Sequence, residues 1–352
     1  MKKPILVLSL LLIIGSFTLI PLPSTIVQAA IIDAPEVPGK WREWAGDDLR
    51  DIAQIIPNAK ERQEYVASLT KIYEVFSRVK TLNPPVGFEI TRYRSVRKGI
   101  PFLGAFRMMY FGYYRSGPDQ PVQVHRETAA RMDVYVNNIR VLEESDYPVG
   151  GDDQGYFVYA PPQAGTLYGY PVYHRAPGLE PFTRIVLTNI KRPLFVPVSR
   201  ERYLRSLIQK EEAEINRLTL EYNQAKKNNE NLARYEVMLK IKMEQKKAYE
   251  DELAAMSEAE RCSQAWHPHY RQLYKGGPLS SGLAEPGYKD ARPLVTVNTE
   301  FFDRSLPPAA IQLIVVEYPS KLPQGVYHNT IPEKILADLD WKALEGLLAP
   351  AN

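Results

Sequence analysis

The sequence predicts an α+β fold: a mainly antiparallel sheet with flanking helices and an inserted long helical hairpin, an antiparallel coiled coil. Three observations predict it. Runs of alternating apolar and polar residues recur between Gly87 and Pro197, with turn residues between them. The period then switches from strand-like to helical over Ser199 to Arg261. Strand-like runs resume at 294–318, past the helical stretch, so one sheet can gather strands from both flanks.

The elements follow in chain order. Met1, Lys2 and Lys3 form a cationic start, and Ile5 to Ile20 is an uncharged apolar run. Pro21 and Pro23 break it, and Val27-Gln28-Ala29 supplies the small side chains a signal peptidase needs. Residues 1–30 therefore read as a cleavable signal peptide, cut near Ala29 or Ala30. An uncleaved anchor is the alternative, and the run is a little short for a span of roughly 20 residues. Beyond it no second run is long enough to span a membrane. The expected location of the mature chain is the periplasm or the extracellular space.

Residues 31–57 read as an extended leader and short helix, with Trp41 and Trp44 at helical spacing. Asn58 and Glu61 match a helix-capping pattern. Val66, Leu69, Tyr73, Phe76 and Val79 then place an apolar face on a helix over 58–80. Strands are expected at 88–93, 105–114, 132–136, 156–159, 184–189 and 194–196, and Asn137-Asn138 reads as a turn. Ser199 caps the helical stretch. Residues 200–261 carry 13 basic and 13 acidic side chains without proline or glycine. Lys226 to Asn231 is a weak helix former and splits the stretch in two. Lys242 and Lys246 interrupt the apolar seam of its second half. Ser257 and Glu260 form a capping box. Ile311 to Tyr318 (IQLIVVEY) is the most apolar run and reads as a central strand. A last helix is expected over 332–348. The domain reading is an α+β unit of 58–198 plus 264–352, with 199–263 as the helical insertion.

Composition narrows the function classes. The chain has 45% apolar and 24% charged residues, enough to build a core. Losing Lys2 and Lys3 leaves 42 basic against 41 acidic residues, which argues against a nucleic-acid partner. A single cysteine, Cys262, excludes an internal disulfide. No nucleotide-binding, zinc-protease or serine-hydrolase signature is present. Ser68 to Lys71 matches S-x-x-K, but it falls mid-helix and its companion motifs are missing. No cofactor is predicted.

The candidate residues are few. Cys262, His267 and His269 come nearest to a metal set, yet a closed zinc site needs four ligands and these three are irregularly spaced. Asp152 and Asp153 lie in a glycine-rich loop, near Glu143, Glu144 and Asp146. With His125 and His174 they are the acid–base candidates of a secreted hydrolase. Tyr110, Tyr113 and Tyr114, with Arg107 and Arg115, are the candidates for a ligand platform, because rings stack on sugars and arginine adds hydrogen bonds. Strand alternation sends neighbouring rings to opposite faces, which favours core packing for part of this run. The sequence therefore favours a non-enzymatic binding protein with a protein or glycan partner at the envelope. Self-association through the helical hairpin is a further expectation.

Overall fold

The computed structural model describes residues 31–42, 49, 51–143, 148–174, 181–268, 280–288 and 291–350. The leader at 1–30, Trp44, Glu144, Asp146 and His269 lie outside them. The described chain is α+β and largely antiparallel. Its elements are β1 (Ile32–Asp33), β2 (Lys40–Trp41), α1 (Ile52–Ile55), α2 (Ala59–Ser77), β3 (Phe88–Arg97), β4 (Leu103–Arg115), β5 (Gln123–Val124) and β6 (Arg131–Val136). There follow β7 (Gly150–Asp152), β8 (Gly155–Tyr159), β9 (Gln163–Leu167), β10 (Tyr170–His174), β11 (Phe182–Leu187) and β12 (Phe195–Pro197). Helices α3 (Arg200–Lys227), α4 (Ala233–Ala255) and α5 (Glu258–Cys262) come next. The chain closes with β13 (Trp266–Pro268), β14 (Ala291–Val297), β15 (Ile314–Pro319), α6 (Ile331–Asp338) and α7 (Trp341–Glu345).

The larger sheet has the order β2-β3-β4-β6-β15-β11-β10-β9, with β1 and β5 also pairing β4. Strand β15 is the apolar run expected to be central, and it lies between β6 and β11. Only the β2–β3 pairing is parallel among the described ladders. Trp41 thus belongs to a strand rather than a helix, because its segment lies along β3 and Trp41 Nε1 donates to the Leu82 carbonyl. A smaller sheet runs β12-β14-β8-β7, with β13 also on β14.

Asn58 caps α2, accepting from the backbone N–H groups of Lys60 and Glu61. The helix buries Tyr65, Leu69, Ile72, Val75 and Phe76; Leu69 and Phe76 are as expected, as is the burial of Val79 beyond its end, while Tyr65 and Ile72 take the place of the half-buried Val66 and Tyr73. It covers one sheet face together with Ile331, Ile335 and Leu336 of α6 and Trp341 and Leu344 of α7. Phe88, Ile90, Phe106, Met108, Tyr110, Met132, Val134, Ile314, Val316 and Ile185 face them. Each such side chain contributes about 1.5–3 kcal/mol by leaving water. The expected single C-terminal helix is two, since the Asp340 side chain accepts from Ala343 N–H and starts α7 afresh. Across the sheet, Val186, Leu313, Val315, Ile139, Leu142 and Phe301 form a second cluster, joined by Phe195 and Val297 from the smaller sheet.

Asn137 ties three segments together. Its backbone has φ 56° and its side chain is 1% exposed. The amide donates to the carbonyls of Phe102 and Ala310 and accepts from the N–H groups of Gln312 and Leu313. What the sequence presents as a turn residue is a buried fastener.

Helices α3 and α4 are separate and run antiparallel, with residues 228–232 between them. Lys242 lies 2.9 Å from Glu211, and Lys246 lies 3.5 Å from Glu212. The two lysines that break the apolar seam therefore pair across it. Ser199 caps α3, and Ser257 with Glu260 completes the capping box of α5. Among the described residues, no helix is long and apolar enough to cross a membrane.

Candidate functional site: an arginine-bearing sheet face

Strand alternation gives the larger sheet two unlike faces. The residues between the core positions point away from α2, α6 and α7. They include Glu89, Thr91 and Tyr93 on β3, Arg107, Met109 and Phe111 on β4, and Arg131, Asp133 and Tyr135 on β6. The ladder registers align Tyr93, Arg107, Asp133, Glu317, Arg184 and Tyr173 in one row across β3, β4, β6, β15, β11 and β10. At about 4.8 Å per strand the row is about 24 Å long.

Three carboxylates on this face are each held by cations. Arg107 donates through Nε to Asp133 Oδ1 and through Nη2 to Oδ2, the latter at 3.3 Å. Arg131 Nε lies 3.3 Å from the same Oδ2. Arg184 Nε donates to Glu317 Oε2 at 2.7 Å, and the Tyr135 hydroxyl donates to Oε1 at 3.4 Å. Arg42 donates to Glu89 Oε1, with Lys40 Nζ 3.7 Å from Oε2. Two of these groups are unequally exposed. The side chains of Glu89 and Asp133 are 1 and 4% exposed, whereas their partners Arg42, Arg107 and Arg131 are 49, 40 and 28% exposed; Arg184 and Glu317 are buried alike, at 6 and 8%. Glu89 and Asp133 are buried beneath guanidinium groups that reach water. Arg42 sits over the Phe111 ring and Arg131 over the Phe182 ring, at 5.9 and 4.7 Å, which fixes their planes.

Burial pushes the Asp133 carboxyl above its ordinary range, while the hydrogen bond and charge of Arg107 pull it down. Both of its oxygens accept from Arg107 and the side chain is 4% exposed, an arrangement that holds an ion pair rather than presenting a free carboxylate to a substrate. The outward guanidinium edges suit a different task, the recognition of a carboxylate, phosphate or sulfate by forked hydrogen bonds.

No protein-family model, curated protein or solved structure matches this chain.

The residues singled out from sequence do not assemble into one site. Of the ligand candidates, Arg107 belongs to the face just described. Tyr110 is fully buried on the helix side, edge-on to Phe88 at 5.9 Å, so no ligand reaches it. Tyr113 is 7% exposed, and burial pushes its hydroxyl up. Tyr114 donates to the Gln123 side chain, and Arg115 pairs with Glu36 at 2.6 Å. Of the acid–base candidates, Asp152 accepts two hydrogen bonds from Arg202, at 2.6 and 2.9 Å. They hold its carboxyl below the ordinary range and fasten β7 to α3. Asp153 is exposed in the turn to β8. His174 is exposed on β10, with Nδ1 3.2 Å from the Thr183 hydroxyl.

His125 finds a partner that the sequence did not suggest. Its ring lies 4.5 Å from Tyr114 and 4.9 Å from His328, which is 5% exposed. Burial drives His328 down to about 4, reinforced by His125 and opposed by Asp33. Gly112 makes room for this imidazole, since a Cβ there would stand 2.3 Å from His328 Nδ1.

Of the metal candidates, Cys262 is exposed and His267 is buried. His267 Nδ1 lies 2.9 Å from the Pro268 carbonyl and 3.1 Å from the Tyr159 hydroxyl, so it turns into the core of the smaller sheet. Burial pushes its pKa down. Among the described residues, no group of three or more His, Cys, Asp or Glu is placed to hold a metal ion.

The sequence did carry a trace of the charged face. In Arg131 to Val136 (RMDVYV) the charges fall two apart, and Arg184 and Glu317 each interrupt an apolar strand. Charges at alternate positions of such strands mark a face that needs partners. Which charge meets which depends on the strand order.

Proposed function

We propose that this chain is an exported, non-enzymatic binding protein that captures an anionic ligand on the arginine-bearing face of its larger sheet. The observation that carries the reading is the unequal exposure of two ion-pair groups: the Glu89 and Asp133 carboxylates, 1 and 4% exposed, beneath arginines of 28–49%. A surface built so presents positive charge to water although the chain as a whole is nearly neutral. The aromatic rings under Arg42 and Arg131 hold the donors in place and lower the ordering cost of binding. The leader at 1–30 supports export. The rest we read as one α+β unit carrying α3 and α4 as an antiparallel coiled-coil insertion, with the Lys242–Glu211 pair fixing its register.

The alternative, a hydrolase, has weaker support. Asp152 is locked on Arg202, Asp153 is exposed in the turn between β7 and β8, and His125 and His174 lie on separate elements with partners of their own.

Calorimetric titration of the mature chain with inorganic phosphate, sulfate and a short galacturonate oligomer tests the reading. Binding is expected at low ionic strength and should weaken as salt rises. Arg42→Gln and Arg107→Gln should each lower the affinity by about tenfold, the loss of one charged hydrogen bond. Absence of binding by all three anions to the folded protein would overturn the proposal. Export is tested separately by N-terminal sequencing of secreted material, expected to begin at Ala30 or Ile31. A mature protein that retains Met1 refutes cleavage.

A further inference from the structure

We infer that Asp133 is an internal stand-in for the ligand: its carboxylate occupies the Arg107–Arg131 clamp and sets how tightly an outside oxyanion is held. The inference rests on the binding reading above and concerns one residue within it. Guanidinium groups from neighbouring strands β4 and β6 converge on this one acid, Arg107 on Oδ1 and Oδ2 and Arg131 Nε 3.3 Å from Oδ2. Glu317, directly across the β6–β15 ladder, has its own partners in Arg184 and Tyr135, so it does not compete for this pair. Two positive charges therefore share one negative charge, and the carboxylate fills the in-plane donor edge of Arg107 that an incoming oxyanion would use.

The arrangement has a directional consequence. A carboxylate held at 4% exposure can be neutralised in place by one substitution that keeps its shape, Asp133→Asn. The two guanidinium groups then lack a counter-ion, and both remain partly open to water at 40 and 28% exposure. A carboxylate, phosphate or sulfate from solution can take the vacated role. The ligand class that follows is a single compact oxyanion group, free or borne on a larger molecule, gripped by a pair of forked donors.

The experiment compares the mature wild-type chain, Asp133→Asn, and the double variant Arg107→Gln/Asp133→Asn. Each is melted and titrated with sulfate and with inorganic phosphate against chloride at matched ionic strength. The single variant is expected to melt below wild type in chloride and to regain most of the loss in sulfate or phosphate. Its affinity for either anion should exceed that of wild type at least tenfold. The double variant should show no such recovery, which separates site binding from the general stabilising effect of sulfate. If the single variant binds no more tightly than a wild type that does bind, Asp133 is not a stand-in, and the binding reading survives alone. If sulfate rescues the double variant equally, or fails to rescue the single one, the inference is also overturned. If neither protein binds, the binding reading itself fails.

Discussion

Acidification from pH 7 to pH 5 should loosen this fold through one imidazole. His328 stands in the turn ahead of α6, 5% exposed, with its ring against His125 and its Nδ1 against Gly112. Its pKa in the fold is about 4, against 6.5 ordinarily, chiefly because burial penalises the charged form. A base whose pKa falls on folding binds fewer protons than the unfolded chain between those two values. Stability is therefore full above pH 6.5 and is lost as pH falls toward 4. At about 1.4 kcal/mol per pH unit, the loss reaches about 2 kcal/mol at pH 5 and about 3 kcal/mol below pH 4. Urea unfolding at pH 7, 6 and 5 reads it directly. His328→Gln should start less stable at pH 7 but lose about 2 kcal/mol less than wild type on going to pH 5. A residual slope is expected from His267, which burial also pushes down. Parallel pH profiles for wild type and His328→Gln would refute the reasoning.

Three further outcomes are expected. Asn137→Ala removes four hydrogen bonds to Phe102, Ala310, Gln312 and Leu313, and leaves a residue with a Cβ at φ 56°. Unsatisfied buried backbone groups cost about 1–3 kcal/mol each, so the free energy of unfolding read from denaturant curves should fall by at least about 3 kcal/mol. Gly112→Ala drives a methyl into the His328 ring and should cost about 1–3 kcal/mol, recovered in part by adding His328→Ala, as read from melting curves. Lys242→Met leaves Glu211, 6% exposed, without its cation and should cost about 3 kcal/mol; the double change Lys242→Met/Glu211→Leu should restore most of it. A double-variant cycle in urea separates that coupling from two independent losses.

Much of the architecture was legible because local rules agree with the fold. Asn58, Ser199 and Ser257 cap helices at the positions their side chains suggest. The apolarity of Ile311 to Tyr318 foretold a central strand, because a strand with neighbours on both sides and layers on both faces favours apolar side chains. The split near Lys226 to Asn231 follows from weak helix formers. The differences have identifiable physical causes. Trp41 sits at helical spacing from Trp44, but its segment is recruited by the edge of β3, a partner distant in sequence. The hairpin of β9 and β10 was obscured by Gly165, Pro171 and the glycine turn at Gly169, which break alternation.

The candidate site was legible only in fragments. The sequence marks Arg107 by its place in an aromatic run, whereas Asp133 reads only as a polar position of the alternating strand Arg131 to Val136. Their meeting needs β4 beside β6, and the meeting of Asp133 with Glu317 needs a strand from 184 residues further along the chain. Asp152 likewise meets Arg202, fifty residues away, at 2.6 Å only once α3 docks on β7, a pairing with no local signature.

By itself, the amino-acid order determined the period of each segment, the ends of its helices and which positions had to leave water, because those depend on neighbours within a turn or a pleat. The tertiary structure alone decided which charges are neighbours, which of them stay wet, and that His125 meets His328. Such pairings arise where strands distant in sequence come to lie about 4.8 Å apart, and no local pattern encodes that distance.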